Sequence, residues 1–334
     1  MRIIGLPDQS HHVVGPGVLI KFASMAFTRD LETAFTTLPF RPQSTLVPEE
    51  QTGVIKRVGE GEDISFEMNG RPRIMAHVPG PVLALNLLFP FNYFHFMIEC
   101  LPSVYALMRE GVLEPETMLV SGLLHPNMAL ALSFLMRERR MSIIQLRAGG
   151  DAVLSEQVIL PRSSFYSAER LDGGITPPYC NAENIAALRE GLRPTWSDPR
   201  QHPPRKLLIR RKRDGRSIVN FDEVERRAVA AGYTVMAPED YSLNQQVRMF
   251  STASHIIGPT GAWLSNLLFV RRRTRVAVFY PETCREGPIW NLLGRACGVE
   301  VEEIFCPIAK YDELQPIHSD YFVPPEILNP LLKD

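Results

Sequence analysis

KLLIRRKRDGRSIVNFDEVERRAVAAGYTVM, residues 206–236, reads as one strand–helix–strand unit. Lys206–Arg210 is a strand that runs into the basic stretch Arg210–Arg216, and an amphipathic helix follows over Asp222–Ala231. Asn220 precedes that helix with Glu223 three residues on, a capping-box spacing, and Gly232 stands just past its end. Tyr233–Met236 is the next strand. Downstream the alternation continues: helix Leu243–Ser251 capped by Ser242 with Gln245 in the reciprocal position, strand His255–Ile257, helix Ala262–Val270, strand Arg275–Tyr280, helix Ile289–Cys297 and strand Val299–Phe305. Such alternation predicts a parallel sheet covered on both faces, a Rossmann-like domain over residues 205–334.

Upstream lies a stretch without apolar period, Arg193–Pro204 (RPTWSDPRQHPP), which predicts a linker. Before it, strands are expected at Val82–Leu88, Met118–Val120, Ile143–Leu146 and Val153–Leu160. Helices are expected at Tyr93–Arg109, at Met128–Arg139 after Pro126, and at Ala182–Glu190 between the N-cap Asn181 and the stop Gly191. This predicts a second Rossmann-like domain over residues 81–195. Residues 1–80 alternate short apolar runs with Gly and Pro and read as a β-rich extension. The expected fold class is α/β: two Rossmann-like domains facing a cleft, the usual place for a ligand.

The chain has 334 residues, 45% of them hydrophobic and 22% charged, with a formal net charge of −1. Those values belong to a globular protein with room for two cores, and no global field favours nucleic acid or an anionic membrane. The five cysteines are odd in number and form no C-x-x-C pair, which argues against a zinc site of usual spacing and for a reducing, cytoplasmic setting. No basic leader followed by a long apolar run opens the sequence. The most apolar segment, Pro81–Leu101, is interrupted by Asn86, Asn92, His95 and Glu99, so it reads as buried core rather than a membrane span.

Three stretches carry candidate chemistry. Ile257-Gly-Pro-Thr-Gly-Ala262 is a strand ending in a Gly-rich turn that opens a helix, with Thr260 placed as N-cap. Free amides and a helix dipole there suit a phosphate, and Gly258 and Gly261 would let it approach; an ordinary strand-to-helix turn has the same pattern. The run Arg210–Arg216 follows the first strand of the same domain, where ligands of open parallel sheets bind. Arg211 and Arg216 can hold a diphosphate in bidentate bonds, although such a run is more often a solvated loop. Nucleic acid ranks last, because no stacking aromatics are interleaved. Third, His95 and Glu99 stand at i, i+4 in an apolar helix, where they can pair, either as a general base and its orienting carboxylate or as satisfied core residues.

Together these stretches resemble glycosyltransferase family 61, of bacterial type. Asn92-x-x-His95-x-x-x-Glu99-x-x-Pro102 is similar to its N-x-x-H-x-x-x-[DE]-x-x-P signature, and Leu207–Arg211 with Arg216 and Asn220 to its I-S-R-R…R…N-E stretch. Ser242–Phe250 is similar to its S-x-x-E-Q-V-x-x-F helix and Ile257–Asn266 to its V-G-x-H-G-A-x-L-T-N segment. The resemblance implies a GT-B fold and inverting, metal-independent transfer from a nucleotide-diphosphate sugar, UDP-linked, to a glycan or lipid-linked saccharide. No cofactor is implied, and the chain holds no Asp-x-Asp. His95 and Glu99 would be catalytic; Arg211, Arg216, Asn220, Gly258, Thr260, Gly261, Ala262 and Asn266 would bind the donor. Thr260 stands where the family has His and Ile209 where it has Ser, so a decayed sugar-nucleotide or glycan binder is the alternative. Arg271-Arg-Arg273 reads as a solvated turn or as a peripheral membrane contact.

Overall fold

The computed structural model describes residues 1–38, 45, 47–59, 63–85, 87–136, 141–167, 176–198, 205–212, 216–284, 289–313 and 318–333. The chain divides into two compact units, Met1–Tyr179 and Cys180–Asp334.

In the first unit nine strands form one sheet: β1 (Arg2–Gly5), β2 (His11–Val14), β3 (Gly17–Ile20), β4 (Ala26–Thr28), β5 (Thr33–Thr36), β6 (Arg73–Leu85), β7 (Met118–Gly122), β8 (Ile143–Leu146) and β9 (Asp151–Pro161). Their order is β1-β5-β4-β3-β9-β6-β7-β8, with β2 also on β9. β6, β7 and β8 run parallel, β9 runs parallel to β6, and β2 and β3 meet β9 antiparallel. The first 80 residues are therefore not a separate extension. Their strands are three to four residues long except for β6, too short to bury an apolar face alone. Val18–Ile20 and Ala26–Phe27 reach near-complete burial by joining the sheet through β9. The unit is α/β with a mixed sheet, which corrects the expectation of a second plain Rossmann-like domain.

The helix expected over Tyr93–Arg109 is present with a widened centre. His95–Cys100 is a π-helix, and α1 (Leu101–Arg109) resumes beyond it. Pro102 explains the widening: it has no N–H for the i−4 carbonyl and its ring crowds that carbonyl, a conflict relieved by one extra residue in the turn. The Glu99 carbonyl is taken by the Ser164 amide at 2.8 Å. α2 (Pro126–Leu135) opens where Pro126 predicts; the expected tail to Arg139 enters residues outside those described.

In the second unit β10 (Arg205–Ile209), β11 (Tyr233–Met236), β12 (Ala253–Pro259), β13 (Arg275–Pro281) and β14 (Val301–Cys306) form an all-parallel sheet ordered β11-β10-β12-β13-β14. Leu207, Leu208, Ile256, Val278 and Phe279 are fully buried, as expected for strands covered on both faces. The helices are α3 (Ala182–Leu192), α4 (Phe221–Ala230), α5 (Leu243–Ser251), α6 (Ile289–Cys297) and α7 (Pro325–Leu332). Ser242 and Gln245 form the expected capping box on α5, and Gly232 closes α4 at φ 84°. No helix among the described residues is long and apolar enough to cross a membrane.

The units divide earlier than residues 193–204. α3 packs on α6, and Arg189 of α3 donates to the carbonyls of Leu267 and Leu268 at 3.0 and 3.1 Å. Trp196 lies between the guanidinium groups of Arg189 and Arg271, so the start of the expected linker is fastened to the second unit; residues 199–204 lie outside those described. Gly191 sits inside α3 rather than ending it. The expected helix Ala262–Val270 is a 3₁₀ stretch, Ala262–Phe269. Trp263–Phe269 are all buried, so packing on every side rather than helix propensity sets their winding.

In the second unit's strand order, successive connections leave β10 in opposite directions, toward β11 and toward β12. The crevice at the carboxyl ends of β10 and β12 is thus the topological switch point, where ligands bind in open sheets. Gly258 closes this junction: a Cβ there would lie 2.7 Å from the Ile209 Cβ on β10. Its missing side chain lets the two strands pack together. Gly258→Ala should therefore lower unfolding stability by about 1–3 kcal/mol in urea titrations; an unchanged midpoint would show that the strands separate without cost.

Candidate functional site

The basic stretch after β10 splits by partner. Arg210 pairs with Glu225 and Lys212 with Asp240, both on the surface. Arg211 between them turns inward, and its Nη1 donates to the Thr260 carbonyl at 3.0 Å, spanning the switch point. Gly261 makes this possible, because a Cβ there would stand 3.2 Å from that nitrogen. Arg216 is held in the left-handed region at φ 55°, its amide bonded to the His318 carbonyl. Its side chain lies among Cys284, Tyr321 and Tyr280, and burial holds its pKa below the ordinary guanidinium value. Its Nε is buried with no partner among the described residues. Such a donor costs about 1–3 kcal/mol and calls for an explanation, a ligand among them.

Tyr321 connects the two arginines. It is fully buried, faces both Arg211 and Arg216, and donates its hydroxyl to the Phe279 carbonyl at 3.0 Å. Burial, with Cys306 beside it, pushes its pKa up. The structure thus brings Arg211, Arg216 and the Gly258–Ala262 turn to one end of the parallel sheet.

Other expected donor ligands are committed to the fold. The Thr260 amide donates to the Phe279 carbonyl at 2.9 Å, and its hydroxyl accepts the Trp290 Nε1–H at 2.8 Å. Thr260 is therefore not the N-cap; Gly261 is, in extended conformation and with no side-chain cap bond. The backbone donors left at the turn, among the described residues, are those of Gly261 and Ala262. Asn266 is buried and donates to Gln246 Oε1 at 2.8 Å, tying the 3₁₀ stretch to α5. Asn220 exchanges two hydrogen bonds with the backbone of Val323 and makes no side-chain cap on α4. Polar side chains in such segments serve a backbone as readily as a ligand, so motif position alone does not separate the two.

Sequence reasoning missed Tyr280, Trp290, Glu303 and Tyr321. Glu303 accepts the amides of Trp290 and Asn291 at 2.9 Å each, capping α6, while the Tyr280 hydroxyl lies beside Thr260 and Glu303. Burial raises the pKa of Glu303 above the ordinary carboxyl value. They stand on strands and on a helix whose apolar spacing gives no sign of the shared hydrogen-bond cluster.

In the first unit, Asn92 Oδ1 accepts the amides of Phe94 and His95 at 2.9 and 3.4 Å and so caps the helix that carries the pair. His95 Nδ1 lies 2.8 Å from Glu99 Oε1. At i→i+5 winding four residues nearly complete a turn, which keeps both side chains on one side. The approach is out of line for an aligned hydrogen bond, so the contact is one of proximity. Phe89 stacks on the imidazole at 4.6 Å and Phe94 meets it edge-on at 5.8 Å. Both His95 and Glu99 line a cavity of about 210 Å³ beyond the carboxyl ends of β6 and β9.

Behind one wall of this cavity, Glu49 is fully buried. The Ser24 amide and hydroxyl donate to its Oε1 at 2.7 and 2.8 Å, and Oε2 has no partner among the described residues. Burial raises its pKa above 4.5, offset in part by Ser24. The folded chain therefore holds this proton more tightly than the unfolded one. The resulting stability is fully present below pH 4.5 and is lost as pH rises through the folded value. Glu49→Gln keeps the acceptor for Ser24 and removes that loss, so its Tm relative to the parent should rise from acid toward alkaline pH. A difference that stays constant across thermal melts at several pH values contradicts this account.

The sequence model of the family described as Glycosyltransferase 61 matches residues 93–277, more than half of the chain. Among curated proteins, none matches the chain.

Proposed function

The chain belongs to glycosyltransferase family 61, and from that premise we propose that it is an inverting, metal-independent transferase of GT-B type, moving a sugar from a UDP-linked donor to a glycan acceptor. The observation that carries this reading is the Arg211 guanidinium docked on the Thr260 carbonyl at the switch point of the second unit, with Arg216 beside the same tyrosine.

In the proposed reaction an acceptor hydroxyl oxygen attacks the anomeric carbon as the bond from that carbon to the diphosphate oxygen breaks. The leaving nucleoside diphosphate takes the electron pair, and the hydroxyl proton passes to His95 Nε2. Glu99 lies at the other ring nitrogen, 2.8 Å away, where it stabilises the imidazolium that forms. Arg211 and Arg216, with the amides of Gly261 and Ala262, neutralise charge developing on the diphosphate. Preorganised donors of this kind act most strongly in the transition state.

Arg211→Ala should lower kcat by about 10²–10³ with UDP-sugar donors, read as nucleotide release; unchanged turnover removes the clamp from Arg211. His95→Ala should abolish transfer while UDP affinity, measured by calorimetry, stays within about twofold. Loss of UDP binding in that variant would reassign His95 to the donor.

A further inference from the structure

We infer that the cavity beside His95 holds an uncharged saccharide, selected because its walls accept hydrogen bonds and offer few donors; this deepens the proposed transferase reading, on which it rests.

A hydroxyl has one proton to give and two lone pairs to receive. Six hydroxyl side chains line the cavity, and the five of Ser and Thr have given their protons to the protein. Ser24 donates to Glu49 Oε1 at 2.8 Å, Thr37 to the Pro161 carbonyl at 3.1 Å, Ser103 to the Arg162 carbonyl at 2.5 Å, Ser163 to the Phe165 carbonyl at 2.7 Å and Ser167 to the Thr176 carbonyl at 2.8 Å. What these oxygens present to an occupant is lone pairs. The Glu99 carboxylate on the same wall is also an acceptor.

The cation on the wall is already matched. Arg162 pairs with Asp8 and lies over the Tyr179 ring at 4.1 Å. A phosphate, sulfate or carboxylate group would bring acceptors to acceptors and a negative charge to Glu99, with the Glu49 carboxyl behind Ser24. Leu87, Leu88 and Phe89 supply an apolar face between these groups. Hydroxyls that donate around a ring with C–H faces are the surface chemistry of a neutral sugar. The same argument keeps the nucleoside diphosphate out of this cavity and leaves it for the acceptor.

The test uses the full chain and two probes, methyl β-D-glucopyranoside and methyl β-D-glucuronide, compared by saturation-transfer NMR. The neutral glycoside should bind at least about tenfold more tightly than the glucuronide. Ser24→Ala with Thr37→Val, which keeps volume and removes two acceptors, should weaken neutral binding about fivefold or more. Leu88→Trp, which fills the cavity, should abolish it. Both variants are checked for a parental Tm. Glucuronide binding equal to or tighter than the glucoside overturns the inference, as does neutral binding unaffected by both folded variants. Nucleotide release from UDP-sugars is measured separately. If release is absent while cavity selectivity holds, the transferase reading fails and the inference about the cavity stands. If transfer proceeds to a glucuronide acceptor and ignores both variants, the reverse holds.

Discussion

One contact organises the second unit's site: the guanidinium of Arg211 against the carbonyl of Thr260. It joins the ends of two neighbouring parallel strands at the point where the chain's connections diverge, and several unusual residues exist to permit it. Gly258 lets the strand of the turn approach Ile209, and Gly261 leaves room for the guanidinium itself. Tyr321, from near the end of the chain, closes beneath both arginines. In the proposed reaction a diphosphate would meet positive charge that this contact already holds in place, which is what a leaving-group site requires.

A second constraint shapes the first unit. Pro102 cannot complete an α-helical ladder, and the π-turn it provokes carries His95 and Glu99. The cost of an irregular turn is offset locally, by Asn92 at its start and by the Ser164 amide on the Glu99 carbonyl. The Asn, His, Glu and Pro positions of the motif then share one mechanical explanation: a cap, an imidazole, its carboxylate partner, and the residue that widens the turn between them.

The second unit was largely legible in the sequence, because parallel strands buried on both faces appear as short apolar runs and their helices as amphipathic ones. Ile289–Cys297 and Leu243–Ser251 begin and end where spacing and caps place them. The first unit was not, since β1 to β5 are three or four residues long and find their partners through β9, more than 100 residues later. At the site, charge and glycine spacing indicated Arg211 and Gly261, which the structure places in contact. Thr260, Asn220 and Asn266 were assigned to a ligand but bond to the protein itself, while Tyr321 and Glu49 gave no signal because a buried polar residue in an apolar segment shows its partners only in three dimensions.

The most direct measurement is a crystal structure of the intact chain soaked with UDP. The account predicts diphosphate oxygens within hydrogen-bonding distance of Arg211 and Arg216 and of the amides of Gly261 and Ala262. A diphosphate bound elsewhere on the chain, away from Arg211 and Arg216, would contradict it.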